Sequence, residues 1–199
     1  MSADRIRVKR LPGAKDFTRR PAYTAEPPRE SSTAAATLVQ VGSDSFSVLS
    51  RGPEETGRIG AALATRLRPG DTVLLKGDLA AGKTTLVKAV AAALGSTDVV
   101  TSPTFALAQF YRTPGSRILH IDTYRLADLA EYRDLALEEY AAESITLVEW
   151  GEKIAGDFPC HLEVDFERAE GEERTISFTS DCDRWTAQMP DLRAELEEL

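Results

Sequence analysis

The sequence predicts a single α/β domain with a mostly parallel central sheet, one antiparallel hairpin and flanking helices. An apolar strand pattern over 71–75 leads into a glycine-rich loop, and an apolar helical stripe follows that loop. A second apolar run, 145–148, is typical of a strand buried on both faces of a parallel sheet. The chain has 199 residues, which is long enough to bury one core of this kind.

The remaining elements follow from local patterns along the chain. A helix begins at Pro53, because proline and acidic residues are favoured in a first helical turn. The turn Thr-Pro-Gly-Ser at 113–116 separates two strand-like segments, 106–112 and 117–122, and predicts a hairpin. Further strands are predicted at 46–49, 161–167 and 174–179, and helices at 126–143 and 183–199.

Composition divides the chain into a flexible basic N-terminal arm (1–37), the α/β domain (38–182) and an acidic C-terminal helix or tail (183–199). The arm carries a net charge of +4 and the rest of the chain −12. Because phosphate contacts need clustered positive charge, this acidic body is poorly suited to holding nucleic acid alone. The arm is either an inert extension or a contact for an acidic partner or RNA.

The sequence has none of the patterns of a membrane protein. No apolar run approaches the length that spans a bilayer, and the N-terminus lacks the apolar stretch of a signal peptide. The two cysteines, Cys160 and Cys182, make neither a disulfide framework nor a zinc-binding spacing. We therefore expect a cytoplasmic protein whose cysteines are reduced.

Residues 77–84 fit the phosphate-loop pattern G-x-x-x-x-G-K-[ST] without a mismatch. The glycines let the backbone wrap around a phosphate chain, and the loop opens a helix whose positive N-terminus faces the same anion. Lys83 supplies charge for the β- and γ-phosphates, and the Thr84 hydroxyl is a ligand for Mg²⁺. The pattern predicts a P-loop NTPase-like domain. Its predicted nucleotide contacts are Gly77, Asp78, Leu79, Ala80, Ala81, Gly82, Lys83, Thr84 and Thr85.

Two acidic residues directly follow apolar strand patterns, which predicts them at the carboxyl edge of the sheet, where ligands bind in open α/β folds. Asp122 follows 118–121, and Glu149 follows 145–148. Glu149 is favoured as the metal-side acid and Asp122 as a ligand of a magnesium-bound water or a switch, although these roles are interchangeable at this point. Thr104 lies where nucleotide switches place a hydroxyl that senses the γ-phosphate. The predicted catalytic residues are Lys83, Glu149, Asp122 and Thr104.

Two side chains next to these acids allow more than one interpretation. Trp150 follows Glu149 and is either a core residue or, as the alternative, a wall of the nucleotide site or a partner contact. His120 shares a strand face with Asp122 and is either a buried, hydrogen-bonded histidine or a proton shuttle. The sequence contains no asparagine, so it lacks the Asn-Lys-x-Asp element of guanine-specific switches, and ATP is favoured over GTP.

Four segments together resemble one protein family. Residues 77–85 (GDLAAGKTT), 101–105 (TSPTF), 120–126 (HIDTYRL) and 147–152 (LVEWGE) occur in the order and approximate spacing of bacterial TsaE, also called YjeE. The resemblance covers residues 46–179 and implies Mg²⁺-dependent ATP hydrolysis that is slow in isolation. It also implies a complex with TsaB-like and TsaD-like subunits, which forms threonylcarbamoyladenosine at position 37 of tRNAs that read codons starting with A.

In that scheme the ATPase supports repeated rounds of modification, and tRNA is reached only through the complex. Carried onto this chain, the resemblance implies that Lys83 and Thr84 hold phosphates and Mg²⁺, and that Glu149 is the metal-site glutamate. Asp122 and Thr104 match the aspartate of the H-x-D-x-Y-R motif and the switch threonine.

The chain departs from the family pattern at Ala80, where the family usually has glycine, and at Thr123 and Gly151. If the backbone at position 80 has a positive φ, the β-carbon costs about 1 kcal/mol and loosens nucleotide binding.

Two other uses of a phosphate loop stay open on residue patterns alone. A small-molecule kinase needs a mobile segment with several arginines, whereas Arg112, Arg117, Arg125 and Arg133 are scattered along this chain. A nucleotide-gated binding module would bind ATP without turnover. No arginine finger is identifiable in the sequence, so hydrolysis by the protein alone is expected to be slow.

Overall fold

The computed structural model describes residues 8–9 and 45–199. One eight-stranded sheet runs through this part of the chain. Its strands, β1 to β8 in chain order, are Val8–Lys9, Ser45–Ser50, Thr72–Gly77, Ala108–Arg112, Arg117–Asp122, Ile145–Glu149, Leu162–Arg168 and Arg174–Thr179. Their spatial order is β1-β2-β8-β7-β3-β6-β5-β4. This order places β3, which leads into the phosphate loop, in the middle of the sheet.

The four central strands, β7, β3, β6 and β5, are parallel to one another. Antiparallel pairs extend the sheet on both sides, since β4 pairs with β5, and β8 pairs with both β7 and β2. Every residue of β6 is buried, as expected for a central strand that is covered on both faces. The predicted fold, an α/β domain with a mostly parallel central sheet and an antiparallel hairpin, is confirmed.

Helices cover the two faces of the sheet unequally. The helices, α1 to α6 in chain order, are Pro53–Ala64, Lys83–Ala93, Leu129–Arg133, Glu138–Ala142, Asp183–Thr186 and Met189–Glu197. Apolar residues of α1, α2, α5 and α6 share a large core with Val73 and Leu75 of β3. Those of α3 and α4 share a smaller core with Leu74. The two cores lie on opposite faces because successive side chains of a strand point in opposite directions.

The single helix predicted over 126–143 is wrong, because this stretch forms two five-residue helices, α3 and α4. Asp128 begins α3, where its carboxylate accepts hydrogen bonds from two backbone N–H groups of the first turn. Between the two helices Ala136 has a φ of 50°, a left-handed conformation that a continuous helix cannot contain.

The two ends of the chain also differ from the predicted elements. The helix predicted over 183–199 is the pair α5 and α6, which buries Trp185 and Leu192 in the larger core. In the predicted N-terminal arm, β1 is a strand that the sequence does not predict, and the rest of that arm lies outside the described residues. Within 8–9 and 45–199 no helix is long and apolar enough to span a bilayer.

The prediction that both cysteines are reduced is wrong in this structure. Cys160 precedes β7, Cys182 follows β8, and a disulfide joins them with their Cα atoms 5.3 Å apart. The register of these strands pairs Glu163 with Thr179, and the same antiparallel pairing continued outward places Cys160 opposite Cys182. The spacing of the cysteines does not reveal the pairing, because it depends on the register of the hairpin.

Candidate functional site

The phosphate-loop motif, residues 77–84, forms the turn between β3 and the first turn of α2. Gly77 has a φ of 119°, and a β-carbon at this position would lie 2.5 Å from the Phe166 carbonyl oxygen. Gly82, which caps the N-terminus of α2, has a φ of 118°. Both positions therefore need glycine. Ala80 also has a positive φ, 60°, so its β-carbon carries the strain predicted for a residue other than glycine.

Lys83, the first residue of α2, folds back over its own loop. Its side-chain Nζ donates hydrogen bonds to the carbonyl oxygens of Gly77 and Asp78, at 2.6 and 2.8 Å. The same ammonium lies 3.9 Å from the centroid of the Trp150 ring, within cation–π distance. Burial lowers the pKa of Lys83 below its ordinary value of 10.5, and the nearby carboxylates, Glu149 foremost, oppose that shift. The lysine is thus a charged, desolvated group at the loop.

Glu149 ends β6 and lies beside the phosphate loop. The Thr84 hydroxyl donates to its Oε1 at 2.6 Å, and His120 Nε2 lies 3.0 Å from the same oxygen. The pairing of β6 with β3 places Glu149 opposite Leu75, two residues before the loop begins. Glu149 is 4% exposed. A buried carboxylate held by a hydroxyl is well placed to act together with the phosphate loop.

Asp122 ends β5 and pairs in register with Glu149 on the neighbouring strand. Its Oδ2 accepts hydrogen bonds from the hydroxyls of Ser102 and Thr104, at 2.9 and 2.5 Å. Its other oxygen accepts a bond from the backbone N–H of Tyr124, at 2.9 Å. The two strand-end acids are therefore neighbours that hold different parts of the chain. Glu149 contacts α2, and Asp122 contacts residues 101–105, the switch segment.

These groups surround one cavity of about 500 Å³ at the carboxyl edge of the central strands. It is lined by Leu79, Ala80, Ala81, Gly82, Lys83, Thr84, Thr85, Ser102, Thr104, Asp122, Tyr124, Glu149 and Trp150. All four predicted catalytic residues and most of the predicted nucleotide contacts are among them. Gly77 and Asp78 are not, although their carbonyl groups hold Lys83.

Trp150 and His120, for which the sequence allows two interpretations each, occupy different environments. Trp150 has a φ of 61° and lines the cavity, with its ring 5.2 Å from that of Tyr124. It is therefore a wall of the cavity rather than a core residue. His120 is fully buried, and both of its ring nitrogens have partners. That arrangement is the buried, hydrogen-bonded histidine of the first interpretation.

Besides Trp150, two residues of the cavity are not among the predicted site residues. Ser102 contacts Asp122 beside Thr104, and Tyr124 forms part of the wall. Both lie within two residues of a predicted site residue and within the segments 101–105 and 120–126 that carry the family resemblance. Their positions depend on how the switch segment folds onto the end of β5, and no local pattern encodes that.

The donor atoms in the cavity suit a magnesium ion that is shared with a ligand. Thr84, Asp122 and Glu149 present oxygen atoms, the donors that Mg²⁺ prefers. In the part of the chain that the structure describes, no group of three or more His, Cys, Asp and Glu side chains could hold a metal ion by itself. Mg²⁺ commonly binds through one or two carboxylates together with substrate phosphates, so these residues fit the ion in that role.

The fold and the loop together define a P-loop NTPase-like protein: a strand in the middle of a parallel sheet, a glycine-dependent turn and a helix that opens with Lys-Thr. Within that class, residues 50–176 match the family model "Threonylcarbamoyl adenosine biosynthesis protein TsaE". The chain belongs to the TsaE family.

Similar proteins support this assignment. A protein of Bacillus subtilis named tRNA threonylcarbamoyladenosine biosynthesis protein TsaE is 41% identical over 135 residues, which cover 67% of this chain and 84% of the relative. A Streptomyces coelicolor protein of the same name is 39% identical, over 64% of this chain and 91% of the relative. The crystal structure of Bacillus subtilis YdiB superposes with a TM-score of 0.66 at 32% identity, covering 75% of this chain and 95% of that one.

Proposed function

We propose that this protein is a Mg²⁺-dependent ATPase that supports formation of threonylcarbamoyladenosine at position 37 of tRNAs reading codons that start with A. Its membership of the TsaE family carries the pathway, since the relatives are named for threonylcarbamoyladenosine biosynthesis. The observation that carries the chemistry is the cavity itself, which brings the phosphate loop and both strand-end carboxylates together.

Each residue of the cavity has a proposed part in binding. Lys83 and the N–H groups of the loop neutralise the β- and γ-phosphates, because an ammonium and a helix N-terminus attract the same anion. Thr84 and Glu149 would hold Mg²⁺, which would neutralise phosphate charge when it is bound. Asp122 and Thr104 place the switch segment against the γ-phosphate side.

Hydrolysis by the protein alone is proposed to be slow. In the described residues no arginine lines the cavity, and arginine is the side chain that commonly stabilises charge on a transferring phosphoryl group. Completion of the site then requires another protein. We propose TsaB-like and TsaD-like subunits for that role, with tRNA bound by the complex, since a body with a net charge of −12 is unsuited to binding it alone.

We place this activity in the cytoplasm, where tRNA is modified. Disulfides are rare in that compartment because cellular thiols keep cysteines reduced. The bond between Cys160 and Cys182 is therefore not required for the proposed function. The pair lies outside the cavity, so its redox state is expected to leave ATP binding unchanged.

The deciding experiment measures phosphate release from Mg·ATP by the purified protein, first without any acceptor and then with TsaB-like and TsaD-like proteins. We expect slow release that increases in the complex, together with repeated rounds of threonylcarbamoyl transfer to tRNA that stop when this protein is omitted. Transfer of phosphate to a small molecule, with no release to water, would support a kinase instead. Equal tRNA modification with and without this protein would overturn the proposed pathway.

A further inference from the structure

A buried chain of hydrogen bonds connects the phosphate-loop side of the cavity to the switch segment by a route behind the cavity wall. His120, on β5, is 0% exposed. Its Nε2 lies 3.0 Å from Glu149 Oε1, and its Nδ1 lies 3.2 Å from the Tyr111 hydroxyl. Neither His120 nor Tyr111 lines the cavity. Any effect of these two residues on a bound ligand must therefore pass through the groups that they hold.

Tyr111 extends the connection from His120 to the switch segment. It lies on β4 and is buried, and its hydroxyl is 3.0 Å from the Thr101 carbonyl oxygen and 2.7 Å from Gln109 Oε1. Burial raises the pKa of this hydroxyl, so it remains a hydrogen-bond donor at neutral pH. The hydroxyl has one hydrogen, which it donates to one acceptor at a time, so it lies between His120 Nδ1 and the carbonyl of Thr101, the first residue of the switch segment, and can bond to either.

The chemistry of the two groups indicates which of them donates the hydrogen bond between His120 and Glu149. A carboxylate oxygen accepts hydrogen bonds, so the geometry fits a His120 tautomer whose Nε2–H donates to Oε1 and whose Nδ1 accepts from the Tyr111 hydroxyl. The same oxygen accepts the hydroxyl hydrogen of Thr84. Two donors from two different elements, α2 and β5, therefore determine where Oε1 of Glu149 lies. This is how residues behind a metal site commonly orient the ligands in front of it.

The switch segment is consequently attached to the cavity at two points. Its Ser102 and Thr104 hydroxyls contact Asp122 directly. Its Thr101 carbonyl competes with His120 Nδ1 for the hydrogen of the Tyr111 hydroxyl, and His120 in turn holds Glu149. A displacement of the segment changes which acceptor takes that hydrogen and so changes the support that His120 gives to Glu149, and a shift of Glu149 acts on the segment by the same contacts.

We propose that His120 and Tyr111 are positioning residues that orient Glu149 toward Thr84 and couple that orientation to the switch segment. The proposal deepens the proposed function and rests on it, because it assigns a regulatory connection to the same nucleotide site. Neither residue touches substrate, so their effect falls on the Mg²⁺-dependent part of nucleotide binding and not on the phosphate loop itself.

The test compares Tyr111→Phe, which removes one hydroxyl and keeps the ring, with Tyr132→Phe. Tyr132 is a matched control because its hydroxyl is also buried but has no hydrogen-bond partner among the residues that the structure describes, and it packs in the other core cluster. Calorimetry gives the ATP affinity of each variant in EDTA and in Mg²⁺. For Tyr111→Phe we expect an unchanged affinity in EDTA and a loss of about tenfold in Mg²⁺, typical of removing a supporting partner of a metal ligand. Tyr132→Phe should match the wild type in both.

A second pair of variants separates positioning from a purely structural role. His120→Gln retains an N–H donor that can reach Glu149, whereas His120→Leu retains only the bulk of the side chain. We therefore expect a partial loss of ATP affinity in Mg²⁺ for His120→Gln and the full loss for His120→Leu. Hydrogen–deuterium exchange of residues 99–107 gives a readout that does not depend on turnover. Mg·ATP should protect these residues in the wild type but not in Tyr111→Phe or His120→Leu.

The outcomes distinguish this inference from the proposed function. If the wild type binds Mg·ATP, and Tyr111→Phe and His120→Leu bind it equally well with the same protection, then the positioning role is wrong and the ATPase proposal stands. Equal losses in EDTA and in Mg²⁺ would also overturn it, because they indicate general destabilisation. A wild-type protein that binds no ATP would overturn both.

Discussion

The two halves of the cavity hold their carboxylates in contrasting ways. In the phosphate-loop half, residues 77–84 and Glu149, Lys83 and Glu149 are buried, each 4% exposed, whereas the loop tip, 78–80, is exposed. The backbone of this half runs between a central strand and a helix. In the switch half, the segment 101–105 and Asp122, the segment is largely exposed and its Phe105 is 88% exposed. Hydrogen bonds to Asp122, together with the contact of the Tyr111 hydroxyl with the Thr101 carbonyl, hold this second half.

That difference assigns the two halves different tasks. A loop between regular elements has little freedom, so it presents its N–H groups and Lys83 to phosphate without rearrangement. A segment held by the hydroxyls of Ser102 and Thr104 can exchange those bonds for bonds to a ligand at small cost, because the hydroxyls both donate and accept. We therefore expect the first half to determine affinity and the second to determine the response to bound nucleotide.

The largest effect should come from Lys83→Ala. This change removes the only lysine that lines the cavity in the described part of the chain, and with it the charge that faces the β- and γ-phosphates. We expect ATP binding to be abolished in calorimetry. Lys88→Ala is the control, since Lys88 is an exposed residue of the same helix. An unchanged affinity in Lys83→Ala would remove the loop from the mechanism.

The next largest effects are expected from alanine substitutions of the two acids, Glu149 and Asp122, which can be compared directly. Glu149→Ala should lower the rate of phosphate release about 100-fold while ATP binding in EDTA is retained, because it removes the carboxylate that lies against Thr84. Asp122→Ala should lower the rate about tenfold, since it releases the switch segment but leaves the Thr84 contact. Phosphate-release assays at saturating Mg·ATP check both. The reverse order would exchange the roles of the two acids.

The phosphate-loop half could be predicted from the sequence almost completely. The motif is local, so the positions of Gly77, Gly82, Lys83 and Thr84 follow from their spacing and from the strand and helix on either side. Glu149 and Asp122 lie at the carboxyl edge of the sheet as predicted, because both end apolar strands, and the structure shows that these strands are adjacent.

The switch half could not be predicted in the same detail, because its contacts join residues that are distant in the chain. Asp122 meets Ser102 and Thr104 across a hairpin, and Tyr111 meets His120 only in the register of β4 and β5. The break between α3 and α4 at Ala136 could not be predicted either, because alanine is the best helix former and gives no indication of a left-handed turn. Cys160 and Cys182 likewise meet through a register.

A pH dependence should sharpen the assignment of affinity to the phosphate-loop half. Burial lowers the pKa of Lys83, so its ammonium loses its proton below the ordinary value of 10.5. Phosphate binds the protonated form, and ATP affinity is therefore expected to be highest at pH values below the Lys83 pKa and to fall as pH rises through it. The fall is at most about tenfold per pH unit for one proton. Calorimetry in EDTA measures the ATP affinity at each pH, over the range in which the circular dichroism spectrum stays native. An affinity that stays constant up to pH 10.5 would contradict this prediction.

The smallest effect concerns strain within the phosphate loop. Ala80 has a φ of 60°, so Ala80→Gly should relieve a strain of about 1 kcal/mol, partly offset by the greater freedom of glycine in the unfolded chain. Because the strain lies in the segment that must wrap around phosphate, we expect ATP affinity to rise by up to about fivefold, the equivalent of that energy. Ala136→Gly is a matched control, since Ala136 is another exposed alanine with a positive φ, 50°, and lies outside the cavity.

Both variants should change the free energy of unfolding in urea by similar amounts, and only Ala80→Gly should change ATP affinity. An equal affinity in the two variants would mean that the loop reaches its binding conformation without hindrance from the β-carbon.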